Sequence, residues 1–124
     1  MDDNAQNGWL RGSLGYGGLI VSDCDAVGDA WSSHHYSANA SQAAAQGIQA
    51  GCDLDCGTTY KAANLQAALD AELMTEDDLN QALERVMIMR FNLGLFDSAS
   101  VVPYTNLSHE VRQESLVIFY LCNV

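Results

Sequence analysis

An apolar run that ends in an acidic loop occurs twice in this chain, and it constrains the fold more than any other feature. The first run is Gly18–Ala26, in which Leu-Ile-Val is followed by Ser-Asp-Cys-Asp, and the second is Cys52–Asp55. Short apolar runs with β-branched residues that stop at a polar loop are typical of buried strands. With a helix between them, the order predicts a β-loop-α-β unit with parallel strands and a right-handed crossover. Asp23 then lies at the carboxyl end of a buried strand, where α/β enzymes place their chemistry.

Capping residues predict where the helices begin and end. Asn39 or Ser41 is expected to begin a helix through residues 43–50 that Gly51 ends. Thr75-Glu76-Asp77-Asp78 has the pattern of a capping box, so it predicts a helix that continues to Gly94. The further predicted elements are a helix over 60–73, a helix capped by Ser108 and a strand over 116–121. Residues 1–16 are weakly patterned, and Gly8-Trp9-Leu10-Arg11 has no evident local role. The segment from Trp31 to Tyr36 is expected to be irregular.

Composition limits the class of partner. The chain has 124 residues, enough for one domain with a modest core, and a net charge of -11 from 16 acidic and 5 basic residues. This charge argues against nucleic acid and against an anionic membrane surface, because both require clustered Lys and Arg. No run approaches the roughly 18 apolar residues of a membrane span. The acidic, polar opening does not have the pattern of a signal peptide.

An ordered set of motifs carries a family resemblance over about residues 8–118. The motifs are Leu10-Arg11, residues 17–26, His34-His35-Tyr36, residues 50–57 with Tyr60, residues 82–86, residues 90–97, Val102-Pro103-Tyr104 and residues 112–117. This set resembles glycoside hydrolase family three, and the Cys after Asp23 resembles its β-xylosidase and α-L-arabinofuranosidase branch.

The resemblance implies an α/β fold, namely part of a (β/α)8 barrel with two parallel strands and several helices. It assigns residues 1–97 to the C-terminal portion of the barrel domain. Residues 98–124 are assigned to a linker and a helix-strand stub that begins a truncated second domain. A secreted or periplasmic parent enzyme fits this resemblance, although the localisation of the chain itself stays open.

The implied activity is retaining, exo-acting hydrolysis of β-xylosides and α-L-arabinofuranosides, as in xylan and arabinan breakdown. Retaining hydrolysis requires a nucleophilic carboxylate and an acid/base carboxyl about 5 Å apart. By resemblance Asp23 is the nucleophile, and the acid/base is a glutamate of the second domain, downstream of this sequence. The substrate is then an oligosaccharide or an aryl glycoside, and the isolated chain is expected to be weak or inactive.

The remaining candidate residues flank Asp23. His34, His35 and Tyr36 are expected to line the sugar pocket, and Trp31 either stacks on a sugar or lies buried in its loop. By resemblance Cys24 and Cys56 can form a disulfide beside the nucleophile, with reduced buried thiols as the alternative. Cys52 and Cys122 are interpreted as core residues.

Two other classes of function compete with the glycosidase. A metal site could use His34, His35, Asp53, Asp55 and the cysteines, but their spacing is a poor match to zinc motifs and the family needs no metal or other cofactor. The second is a non-catalytic fragment that self-associates through unpaired barrel edges and exposed apolar faces.

Overall fold

The computed structural model of the protein describes residues 3–103 and 105, and the chain divides into two units, Met1–Arg90 and Phe91–Val124. The predicted domain boundary after residue 97 stays a prediction. Within the described residues the elements are a π-helix Asn4–Ser13, α1 Ala26–Ser32, α2 Ala40–Gln49, α3 Ala62–Asp70 and α4 Glu76–Asn92. The helix capped by Ser108 and the strand over 116–121 lie outside the described residues.

The two segments that were predicted to be strands meet in parallel at one isolated bridge, between Val21 and Leu54. The Ser22 N–H donates to Leu54 O at 2.9 Å, and the Asp53 N–H donates to Ile20 O at 2.9 Å. The parallel direction and the crossover helix agree with the predicted β-loop-α-β unit.

The prediction of two parallel strands was wrong in that residues 3–103 and 105 contain this isolated bridge and no named strand, and the barrel fragment stays a prediction. The Cys52 N–H is used at the end of α2, where it donates to Gly47 O at 3.0 Å. The Asp55 side chain accepts hydrogen bonds from its own loop at Thr59. Few residues of the second segment therefore remain for pairing, so the α/β character rests on the bridge and on the helices around it.

The N-terminal residues form the π-helix Asn4–Ser13, which the weak pattern of residues 1–16 did not predict. Arg11 also has a role that its local sequence did not indicate. Its guanidinium donates to Gly18 O at 2.9 Å, to Gly51 O at 3.0 Å and to the Asp53 carboxylate at 2.7 Å. The π-helix is therefore joined to the beginnings of both extended segments.

Helices α1 and α2 connect the two segments. The segment from Trp31 to Tyr36 was predicted to be irregular, but α1 Ala26–Ser32 includes Trp31, so that prediction was wrong for Trp31. The predicted cap of α2 is confirmed at Asn39, whose side chain accepts from the Gln42 N–H at 2.9 Å. Gly51, with φ +99°, follows α2 as a left-handed helix end, as the sequence indicated.

The core of the first unit lies where α2, α3 and α4 meet. Its small and medium side chains let the helices approach closely; they are Ala45, Ile48, Ala68, Met74 and Ala82, with Tyr60, Leu65, Leu69 and Leu79 packed against them. The capping box is confirmed, since the Thr75 N–H donates to Asp78 at 2.9 Å and the Asp78 N–H donates to Thr75 Oγ1 at 3.2 Å.

In the second unit, the described residues form a turn after α4. Gly94 has φ +68°, and the rings of Phe91 and Phe96 lie 4.6 Å apart between centroids. None of the helices in the described ranges combines the length and the hydropathy needed to span a bilayer.

Candidate functional site

Asp23 lies where the first extended segment ends and its loop begins. Its side chain is exposed, and its Oδ1 accepts a hydrogen bond from the Cys24 N–H at 2.8 Å. This bond fixes one carboxylate oxygen against the backbone and leaves the other available to a ligand. The position at the carboxyl end of a parallel segment is the one that the sequence predicted for it.

Asp23 also borders a cavity of about 220 Å³ that extends along the first segment. Among the described residues that line this cavity, Asp23 is the sole carboxylic acid; the lining is Gln6, Ile20, Val21, Ser22, Asp23, Ala26, Val27 and Cys52. The cavity thus presents one carboxylate, whereas retaining hydrolysis requires two.

The loop after Asp23 is tied to the loop after the second segment. Cys24 and Cys56 form a disulfide with a Cα–Cα distance of 4.3 Å across a sequence separation of 32. The Asp25 N–H donates to Cys56 O at 2.7 Å, and Asp25 has a left-handed backbone with φ +62°. The residue after Asp23 is therefore held covalently, and the next one by a short backbone hydrogen bond.

Asp53 and Asp55 belong to the second acidic loop and do not line the cavity at Asp23. Asp53 is buried, and its two oxygens each form a 2.7 Å ion pair, one with Arg11 and one with Arg85. Asp55 accepts hydrogen bonds from Ser22, Thr59 and Tyr60. Sequence reasoning placed both residues in a candidate metal set and did not indicate these contacts, whose partners in most cases lie far away in the sequence.

His34, His35 and Tyr36 follow the C-terminal end of α1, whereas Asp23 precedes its beginning. A helix of seven residues separates the two positions by about 10 Å along its axis. All three side chains are exposed, and the Tyr36 side chain borders a different cavity, of about 350 Å³, with Asp3 and Gln46. The structure does not bring these residues to the cavity beside Asp23.

Trp31 borders a third cavity, of about 310 Å³, together with Asp25, Asp29 and Thr58. It is partly exposed and lies in α1, so it is not buried in a loop. The lining of this third cavity shares no residue with the lining of the Asp23 cavity.

Cys52 is buried, as predicted for a core residue, and its side chain borders the Asp23 cavity. Burial raises the pKa of the Cys52 thiol above its ordinary value. The Tyr60 hydroxyl donates to Cys52 O at 3.1 Å, and burial raises the pKa of Tyr60 as well. Both groups are therefore neutral at physiological pH.

A metal centre finds no support in the geometry of the described ranges. There, no group of three or more His, Cys, Asp and Glu side chains is arranged to hold a metal ion. Two of the proposed ligands, Asp53 and Asp55, already accept several hydrogen bonds each.

Comparisons with known proteins identify the family. Residues 2–89 match the profile of the Glycosyl hydrolase family 3 N terminal domain. Because this match covers most of the chain, the protein belongs to the glycosyl hydrolase family 3 N-terminal domain family, as the sequence motifs indicated.

Its relatives include several β-xylosidases. The chain is 40% identical over 106 residues to Beta-D-xylosidase 1 of Arabidopsis thaliana and 32% identical over 100 residues to Xylan 1,4-beta-xylosidase of Xylanibacter ruminicola. These matches cover 86% and 81% of this chain, but only 13% and 12% of the relatives.

Solved structures show the same fold. The exo-β-xylosidase XlnD, solved with a xylobiose aziridine activity-based probe, has a TM-score of 0.82 and 27% identity, covering 96% of this chain and 16% of that one. A β-glucosidase from Listeria innocua has a TM-score of 0.74 and 27% identity, covering 91% and 15%. By this resemblance the chain is glycosidase-like, and it spans about one-eighth of the length of its β-xylosidase relatives.

Proposed function

We propose that this chain carries the nucleophile of a retaining glycoside hydrolase site, and that Asp23 is that nucleophile. The observation that carries the proposal is an exposed carboxylate at the end of a parallel segment, oriented by one backbone N–H and bordering a cavity. Membership of the family adds the reaction class, hydrolysis of glycosidic bonds.

In the proposed reaction the free oxygen of Asp23 attacks the anomeric carbon of the sugar. The bond from that carbon to the leaving oxygen breaks, and the leaving oxygen takes a proton from an acid/base carboxyl. The covalent glycosyl ester on Asp23 is then hydrolysed by a water that gives its proton back to the same acid/base. The first half of this scheme requires a carboxylate held with one oxygen free, which Asp23 provides.

The acid/base carboxyl is proposed to come from sequence beyond these 124 residues. Asp23 is the sole carboxylic acid among the described residues of its cavity, and the described glutamates, Glu72, Glu76 and Glu84, lie after α3 or on α4. The chain alone should therefore release nitrophenol from a nitrophenyl xyloside at close to the uncatalysed rate. Robust turnover that disappears in Asp23→Ala would overturn this part of the proposal.

The proposed substrates are β-xylosides and α-L-arabinofuranosides, from which single sugars are released at the chain end. Cys24 directly after the nucleophile supports this choice, as do the β-xylosidase names among the relatives. His34, His35 and Tyr36 are proposed to contact only a sugar that extends past the Asp23 cavity, because Tyr36 borders another cavity. Binding titrations with xylose and with longer xylo-oligosaccharides test that contact. The Tyr36→Ala variant should lose affinity for the longer sugars and keep its affinity for xylose.

Covalent trapping tests the nucleophile without any need for the acid/base. A deoxyfluoro xyloside with a dinitrophenolate leaving group needs no proton on departure, and its glycosyl-enzyme is hydrolysed slowly. After incubation with the intact chain, mass spectrometry should find one added fluoroxylosyl group on the peptide that contains Asp23. The adduct should be absent from Asp23→Asn.

Asp25→Asn is the matched control for this experiment. Asp25 lies in the same exposed loop, its side chain makes no capping hydrogen bond to α1, and asparagine tolerates its left-handed backbone. The control should be labelled like the original chain. No adduct on the original chain, or an adduct of equal yield in Asp23→Asn, would overturn the assignment of Asp23.

Self-association is a second candidate role, and exposed apolar side chains on the paired segments favour it. Val21 is 49% exposed and Leu54 is 41% exposed, although each lies beside the parallel bridge. Size-exclusion chromatography with light scattering measures the outcome directly. A clean monomer at high concentration counts against this role, and a defined oligomer supports it.

A further inference from the structure

Asp55 makes a set of contacts that the proposed reaction does not use. Its Oδ2 accepts hydrogen bonds from the Thr59 N–H at 2.8 Å and from the Tyr60 N–H at 3.2 Å. Its Oδ1 accepts from the Ser22 hydroxyl at 3.3 Å. One partly buried carboxylate thus organises its own loop and also reaches the residue directly before Asp23.

Ser22 is anchored to the second segment by three hydrogen bonds in all. Besides donating to Asp55, its Oγ accepts from the Cys56 N–H at 2.9 Å, and its own N–H donates to Leu54 O at 2.9 Å. The Ser22 side chain is therefore fixed from two sides, as donor to a carboxylate and as acceptor from a backbone amide.

Asp23 lies between two anchored neighbours. The residue after it, Cys24, is held by the disulfide to Cys56, and the residue before it, Ser22, is held by the Asp55 loop. The disulfide acts only on the C-terminal side of Asp23, so it does not replace the Ser22 contact on the other side. The Cys24 N–H that orients the Asp23 carboxylate depends on both, because it belongs to the peptide between the two anchors.

We propose that Asp55 is a positioning residue for the Asp23 carboxylate, acting through the Ser22 hydroxyl. The proposal rests on the proposed function, since it concerns the precision with which the nucleophile is held. Reacting groups must be held within about 0.5 Å of their productive geometry, and a displacement of about 1 Å can cost a hundredfold in rate. The Asp55 carboxylate accepts three hydrogen bonds and thereby holds its loop in place, whereas the Asp23 carboxylate is proposed to react with the sugar.

The test distinguishes the effect of the Ser22 hydroxyl from the effect of the Asp55 loop. Ser22→Ala removes both the donor to Asp55 and the acceptor of the Cys56 N–H, and Ser22→Thr restores a hydroxyl at the same place. Asp55→Asn keeps the Ser22 hydroxyl and its contact with Cys56 and alters the Asp55 acceptor itself. Ser33→Ala is the matched control, because the Ser33 hydroxyl donates to an Asp29 carboxylate at 2.8 Å in a contact that does not involve Asp23 or its neighbours. Thiol titration first verifies that each variant keeps the disulfide.

The first readout is the rate of trapping by the deoxyfluoro xyloside, separated into its maximal rate and its half-saturating concentration. In Ser22→Ala and Asp55→Asn the maximal rate should fall by about 10- to 100-fold, with a half-saturating concentration changed less than about twofold. Ser22→Thr should recover most of the rate, and Ser33→Ala should match the original chain. A Ser22→Ala variant as fast as Ser33→Ala, or a Ser22→Thr variant as slow as Ser22→Ala, would overturn the proposal.

The second readout needs no reaction and so separates this proposal from the assignment of the nucleophile. The NMR signal of the Cys24 amide proton reports its hydrogen bond to the Asp23 carboxylate. A downfield position is expected for this signal because its acceptor is a carboxylate, and Ser22→Ala should lose that shift, whereas Ser22→Thr and Ser33→Ala should keep it. If the original chain is not labelled, the assignment of Asp23 as the nucleophile is wrong. If the Cys24 amide signal is unchanged in Ser22→Ala, the positioning role of Asp55 is wrong.

Discussion

Two aspartates that follow similar apolar runs, Asp53 and Asp23, have opposite environments in the folded chain. Asp53 is buried and accepts from Arg11, Arg85 and the Ile20 N–H, whereas Asp23 is exposed and accepts from its neighbour's amide. A buried carboxylate with two arginines is satisfied by the fold, while an exposed one with a free oxygen can meet a ligand. The comparison shows that tertiary contacts, more than the local motif, decide which carboxylate is enclosed by the fold and which stays available to a ligand.

The ion pairs of Asp53 make it the junction of the first unit. Three elements contact its carboxylate: the π-helix through Arg11, α4 through Arg85 and the first segment through the Ile20 N–H. Burying these charges has a large desolvation cost, so the network gives little net stability relative to an apolar replacement. Removing Asp53 is different, because Arg11 and Arg85 are then both left without a carboxylate partner.

The largest expected effect is that of Asp53→Asn. The variant should lose about 3–5 kcal/mol of unfolding free energy, because the half-buried Arg11 and Arg85 then face a neutral amide in place of the buried carboxylate. Asp23→Asn, at an exposed site, should stay within about 0.5 kcal/mol of the original chain. Urea denaturation followed by circular dichroism measures both, and equal stability losses would remove the contrast between the two aspartates.

Removing the disulfide tests how much the Cys24–Cys56 bond stabilises the loop around Asp23. Cys24→Ser/Cys56→Ser opens a loop with a sequence separation of 32, for which chain entropy predicts a loss of about 3–4 kcal/mol. Reduction of the original chain with a phosphine should give the same loss in thermal unfolding. If the double variant is as stable as the original chain, the loop around Asp23 is held by its hydrogen bonds alone.

Asp78 sharpens the comparison, since it lies near the surface but has a structural role. A hydrogen bond from the Thr75 backbone N–H is the largest cause that lowers the pKa of Asp78, and the Thr75 hydroxyl adds to it. Because the pKa is lower in the folded state, the stabilisation is present above the ordinary Asp pKa and is lost as the pH falls through the lowered folded value.

Asp78→Asn should therefore cost about 0.5–2 kcal/mol at neutral pH, the usual value of a helix cap. Below the lowered pKa its difference from the original chain should close. Urea titrations at several pH values measure this, with Asp77→Asn as the control on the same turn. A difference that grows toward acid would contradict the expected sign of this pH dependence.

The smallest effect concerns Cys52, which lies beside the buried Asp53. Cys52 is 2% exposed, and burial raises the pKa of its thiol. Iodoacetamide should therefore alkylate Cys52 more than about tenfold more slowly in the folded chain than in urea. Peptide mapping by mass spectrometry follows Cys52 specifically. Equal labelling in both states would mean that the second segment is open.

Local features were predictable where the residues that make them are close in sequence. The Asn39 cap, the left-handed Gly51 and the Thr75–Asp78 box involve partners within three residues, and the structure confirms each. The crossover between two parallel segments followed from their order. The length of those segments did not, because Cys52 and Asp55 are used by α2 and by the following loop.

The residues that the sequence did not explain have distant partners. Arg11 reaches Asp53 across 42 positions, and Arg85 reaches it across 32. The π-helix that carries Arg11 lies in the segment interpreted from the sequence as weakly patterned, so neither the helix nor the role of the arginine was predicted. The contact between Ser22 and Asp55 was not predicted for the same reason, since the two residues are 33 positions apart.

The sequence by itself determined the family, the helix ends and the presence of acidic loops after two apolar segments, since these depend on ordered motifs and near neighbours. The tertiary structure alone decided which aspartate is enclosed by arginines and which one faces a cavity. That decision needs the π-helix and α4 to meet over Asp53 and the two loops to be joined beside Asp23. The physical reason is burial: similar carboxylates become structural or available according to which charges and amides the fold brings to them.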